Sequence, residues 1–114
     1  MITPELRVAH IIECIDRIER YTTDGKNAFM KSQLIQDAVV RNLETLSDAV
    51  KGLPEELKTR HPKVPWRDMG GFRNVLAHQY LTVAVERVWA VVVDNLPALK
   101  VAVKSIAEQL RIAT

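Results

Sequence analysis

Ile35-Gln36-Asp37-Ala38-Val39-Val40-Arg41-Asn42-Leu43-Glu44-Thr45-Leu46-Ser47-Asp48-Ala49-Val50-Lys51-Gly52-Leu53-Pro54 places apolar side chains at 35, 39, 43, 46, 50 and 53. Intervals of three and four trace one face of a helix, and the polar residues between them fill the other faces. Gly52 suits the position after the last turn, and Pro54 cannot continue a helix. The spacing predicts a long helix from about Ala28 to Lys51. No strand-like alternation competes with it anywhere in the chain. The fold is helical.

The same period recurs on both sides. Thr3-Pro4 supplies an N-cap and an early proline, where the missing N–H costs nothing. Val8, Ile11, Ile12, Ile15 and Ile18 then follow at helical spacing until Asp24-Gly25 breaks the run. Pro54 to Arg60 reads as a short helical turn, and Pro62 and Pro65 make the connector between them extended. A helix is expected from Pro65 to His78 or Gln79. Its Gly70-Gly71 pair costs roughly 1 kcal/mol per glycine relative to alanine, which implies close approach by another backbone, from this chain's own second copy or from a bound strand. A further helix covers about Val83 to Asp94. The last opens at Asn95-Leu96-Pro97 and carries Leu99, Val103, Ile106 and Leu110. The expected fold is all-α, an antiparallel bundle of four main helices plus a short helix, as a single domain over residues 1–114.

Composition narrows the class. The 114 residues are 47% hydrophobic and 26% charged, ordinary for a folded protein, and only 5% aromatic, so the core must be aliphatic. One cysteine, Cys14, excludes an internal disulfide framework and multi-cysteine zinc patterns. Glu86, Arg87, Asp94 and Lys100 interrupt the C-terminal apolar region before it reaches the roughly 20 residues of a membrane span. No secretion signal is visible at the N-terminus, and the chain reads as cytoplasmic. His10 and Glu13 form an i,i+3 pair without the further carboxylates a di-iron bundle needs. Neither a Gly-rich phosphate loop nor a Ser-His-Asp set is present, so no metal and no cofactor is expected. A net charge of +2 announces little, but Lys58, Arg60, Lys63, Arg67 and Arg73 face a single acid, Asp68, between positions 58 and 73. Such a run is either a solvated connector or a surface for phosphates.

Chemistry concentrates in Arg73-Asn74-Val75-Leu76-Ala77-His78-Gln79-Tyr80. A histidine exchanges protons near neutral pH, and an arginine offers phosphate a permanent planar cation. Both are what cleavage of an RNA phosphodiester needs without a metal: proton transfer at the attacking or leaving oxygen, and a fixed charge at the transition state. Read alone, His78 could equally be a C-terminal helix histidine that complements the dipole, Arg73 an ion-pair partner and Tyr80 a core phenol. Arg73 and His78 lie five positions apart, about 140° around an ideal helix and roughly 7.5 Å along it. Either Arg73 reaches round, or the helix ends near His78, or two copies of the chain meet.

The segment resembles the Arg-x-x-x-x-His-x-Tyr signature of the HepT-like branch of the HEPN superfamily. Upstream, Val64-Pro65-Trp66 resembles that family's lead into the motif helix. Downstream, Val88-Trp89 and Leu96-Pro97-Ala98-Leu99 resemble its Val-Trp pair and Leu-Pro-x-Leu run, and Gln36 to Glu44 resembles its second long helix. The likeness covers roughly residues 4 to 111. It implies a metal-independent endoribonuclease toxin that cleaves by 2′-hydroxyl attack. His78 would move protons, Arg73 would meet the scissile phosphate and Asn74 would assist. Lys58, Arg60, Lys63 and Arg67 are the candidates for holding flanking RNA. It further implies a homodimer with the site at its interface, and a minimal nucleotidyltransferase antitoxin that modifies Tyr80. The alternative is a non-catalytic helical module that docks on such a nucleotidyltransferase.

Overall fold

A computed structural model describes residues 2–79 and 84–111, with residues 77–79 as backbone alone. Helix α1 (Pro4–Tyr21) starts where the cap signal put it. Thr3 is extended, and its hydroxyl accepts the Leu6 N–H at 3.1 Å, satisfying one of the unpaired donors of the first turn. At the other end the Thr22 hydroxyl donates to the Ile18 carbonyl at 2.7 Å, and Gly25 turns the chain at φ 89, a conformation open to glycine.

The single helix expected from Ala28 to Lys51 is two, α2 (Lys26–Lys31) and α3 (Gln33–Lys51). Ser32 between them is extended, at φ −117 and ψ 107, and its hydroxyl accepts the Ile35 N–H at 3.1 Å. The Gln36 side-chain amide then donates to the carbonyls of Phe29 and Met30 at 3.0 and 3.1 Å. Side chains thus replace the backbone bonds that the break removes, the competition through which serine favours caps over helix interiors. The remaining helices are α4 (Glu55–Lys58), α5 (Trp66–Gln79), α6 (Val85–Asp94) and α7 (Leu96–Gln109). No strand occurs among the described residues.

The long helices α1, α3, α5 and α7 form the bundle, with α3 packed most extensively between α1 and α5. Neighbours run antiparallel. Cys14 meets Thr45 while Arg7 lies over Gly52, and Asp48 meets Arg73 while Lys51 lies against Gly70, so numbers rise on one helix as they fall on the other. Near the start of α7, Lys100 Nζ reaches Glu19 near the end of α1 at 2.9 Å. The core is aliphatic as composition requires, with Ile11, Ile15, Ile18, Leu43, Leu46, Leu99 and Ile106 at or near zero exposure. Burying each such side chain is worth about 1.5–3 kcal/mol. The described aromatic contact is Phe29 against Trp89, ring centroids 5.2 Å apart.

The two glycines of α5 divide. A Cβ at Gly70 would stand 3.3 Å from Lys51 Cβ and 3.4 Å from its Cα, so the close approach expected there is made by α3 of the same chain. A Cβ at Gly71 meets nothing within 4 Å. Gly71→Ala should therefore stabilise the fold by about 0.5–1 kcal/mol, the helix-interior difference between the two residues. Gly70→Leu should destabilise it by about 1–3 kcal/mol through overpacking against α3. Thermal melts of the two variants check this, and a Gly70→Leu protein as stable as the parent contradicts the packing described.

Candidate functional site

Helix α5 carries the motif from Arg73 to Gln79, and its two sides do different things. Toward α3, Arg73 extends over the neighbouring helix so that its Nε lies 3.7 Å from Asp48 Oδ1, with both side chains substantially exposed. The pair sits in an open groove of about 530 Å³, bounded by α1 and α3 and including Arg7, His10, Arg41, Glu44 and Thr45. Ile2 and Leu6 line the same groove and are more than half exposed. Two of its lining residues touch the buried Cys14, whose Sγ lies 3.5 Å from His10 Nε2 and 3.4 Å from Thr45 Oγ1. Burial pushes the Cys14 thiol up, against smaller opposing effects of Thr45 and Arg17, so it stays protonated at neutral pH. It is a poor nucleophile there.

On the other side of α5, Gly71 and Asn74 are exposed and Val75 half-buried. Position 78 shares their register, at seven, four and three residues' remove. A second groove, between α5 and α6, runs past Arg67, Gly71, Phe72, Val75 and Arg87, and the Arg87 guanidinium lies 5.8 Å from the centre of the Phe72 ring. That distance is within reach of a cation–π attraction.

Helix α5 runs to Gln79, the end expected for the motif helix, one residue beyond His78. In a continuous helix their backbone positions stay about 140° apart. The His78 side chain and Tyr80 lie outside the described residues. Arg60, Lys63 and Arg67 are exposed as the charge run implied. Lys58 departs from it: its side chain is 9% exposed and its Nζ lies 3.7 Å from Glu55 Oε1. Lys58 is thus largely covered and paired within its own short helix α4, while still lining an open hollow beside Arg67. Trp66 is a structural anchor, its indole N–H donating to the His61 carbonyl at 3.0 Å and tying the connector to the start of α5.

Sequence reasoning missed Asp48 and the α1–α3 groove. Asp48 is far from Arg73 along the chain, and only the antiparallel register of α3 and α5 joins them. Among the described residues no group of three or more His, Cys, Asp or Glu could hold a metal ion. None of the described helices is long and apolar enough to cross a membrane.

No solved structure matches the chain significantly. Curated relatives do. A candidate RNase of Caldanaerobacter subterraneus subsp. tengcongensis is 36% identical over 96% of this chain and 98% of its own length. A probable ribonuclease HepT of Thermococcus cleftensis is 37% identical over 79% of this chain and 83% of its own. A gamma-glutamylcyclotransferase and candidate RNase of Methanocaldococcus jannaschii is 36% identical over 89% of this chain, which spans only 46% of that longer protein. The family model described as ribonuclease HepT-like matches residues 11–106. With the motif on α5 and the four-helix frame that carries it, the chain belongs to the ribonuclease HepT-like family.

Proposed function

We propose that this protein is a metal-independent endoribonuclease, the toxin of a toxin–antitoxin pair, acting on RNA in the cytoplasm. Arg73 binds the scissile phosphate and stabilises the charge that develops on it. His78 moves the proton at the attacking 2′-hydroxyl or the leaving 5′-oxygen. Asn74, exposed one residue from Arg73, donates a further hydrogen bond to phosphate. Arg60, Lys63 and Arg67 hold flanking phosphates by charge. The observation that carries this reading is the half-exposed Arg73 guanidinium at the rim of an open groove, five residues before a histidine on one continuous helix.

Because those five residues separate the two groups by about 140°, a homodimer is the arrangement that brings them together, Arg73 of one copy facing His78 of the other. Gly71, open on the motif helix, gives a second backbone room to approach. A minimal nucleotidyltransferase is the proposed antitoxin, acting at Tyr80. The alternative, a non-catalytic module that docks on that nucleotidyltransferase, needs Arg73 and Tyr80 but not His78. Incubating the purified protein with RNA in EDTA separates the two. Cleavage is the expected result, and intact RNA alongside retained binding of the nucleotidyltransferase supports the module instead.

A further inference from the structure

On the reading that Arg73 meets the scissile phosphate, we propose that Asp48 is the positioning residue for that arginine. The carboxylate stands 3.7 Å from Nε, at the inner edge of the guanidinium. Held there, the group keeps its two Nη atoms free, and that end of the fork can clamp two oxygens of one phosphate. The position of the carboxylate is itself fixed. Asp48 lies one turn before Lys51, whose backbone packs on Gly70, and Gly70 lies one turn before Arg73. This close α3–α5 contact thus sets the distance between the two residues. Without Asp48 a long arginine side chain samples many rotamers over an open groove and is seldom in place when charge develops on the phosphate. Both partners are well exposed, so the pair adds little to the stability of the fold in water. Its effect falls on catalysis.

The test is steady-state cleavage of a short RNA by the parent protein, Asp48→Ala, Asp48→Glu, Arg73→Ala and the double variant Asp48→Ala/Arg73→Ala, with melting curves for each. Asp48→Ala should lower kcat by about 10- to 100-fold, the scale of loss that a misplaced catalytic group produces, with KM and melting temperature little changed. Asp48→Glu should recover part of the loss. The double variant should be no slower than Arg73→Ala, because Asp48 acts through the arginine. An Asp48→Ala protein with parental or raised kcat, beside an inactive Arg73→Ala protein, overturns the positioning role and leaves the ribonuclease reading standing. An Arg73→Ala protein that cleaves at the parental rate overturns both.

Discussion

Replacing His78 by alanine should lower RNA cleavage by about 10²–10⁴-fold, the usual cost of losing a general acid–base group. Arg73→Ala should cost about 10²–10³-fold, as loss of one preorganised group at a developing charge does. Neither change should unfold the protein. Arg73 is exposed beside Asp48, and His78 lies one residue before the end of α5. Circular dichroism should show nearly parental helix content for both, and neither variant should inhibit growth when expressed. Mixing the two inactive proteins gives a sharper reading. If each site takes Arg73 from one copy and His78 from the other, a heterodimer contains one intact site and should regain part of the activity. Parental cleavage by His78→Ala protein contradicts the mechanism. Mixtures that stay inactive while heterodimers form contradict the shared site.

The second large effect is expected at Tyr80. Coexpression with a cognate nucleotidyltransferase should add one or more nucleotide units to the protein, all on Tyr80, and abolish cleavage. An added phosphate two residues from His78 places negative charge where the RNA backbone must lie, and like charges there oppose binding. The exposed Arg60, Lys63 and Arg67 offer the incoming nucleotide a cationic approach. Tyr80→Phe keeps the ring and loses only the acceptor oxygen, so it should remain at least partly active and escape covalent silencing. Intact-mass and peptide mass spectrometry read the outcome directly. An adduct on another residue, or silencing with no adduct, means that the partner acts by another route.

What the chain disclosed in advance follows from what periodicity reports. Spacing of Val8 to Ile18, of Ile35 to Leu53 and of Leu99 to Leu110 marks buried faces, and those faces are buried except at their ends, where Ile35 and Leu110 are half-buried against the core. Periodicity that begins at Ile35 does not report a break at Ser32, upstream of its first position. Ser32 therefore passed unread, although a serine is a strong N-cap and its hydroxyl caps α3. The Gly70-Gly71 pair announced a close approach but not by what, and for Gly70 the answer is α3 of the same chain. Charge counting treats each lysine as solvated, which holds for Lys63 and fails for Lys58 under α4. Within the candidate site, Arg73 and Asn74 could be proposed from sequence because their chemistry is local to the motif. Asp48 was not, since nothing in the sequence joins it to Arg73 before α3 and α5 are packed.

On the proposed mechanism the 2′-hydroxyl attacks the phosphate while protein side chains supply the charge and the protons. The most direct measurement is the chemistry of the new RNA ends. A labelled oligonucleotide is incubated with purified protein in EDTA, and its products are resolved by mass. The expected products are a 2′,3′-cyclic phosphate on one fragment and a 5′-hydroxyl on the other, with no product from a substrate whose 2′-hydroxyl at the cut position is replaced by hydrogen. Fragments ending in a 3′-hydroxyl and a 5′-phosphate, or cleavage that stops in EDTA and returns with a divalent cation, contradict it.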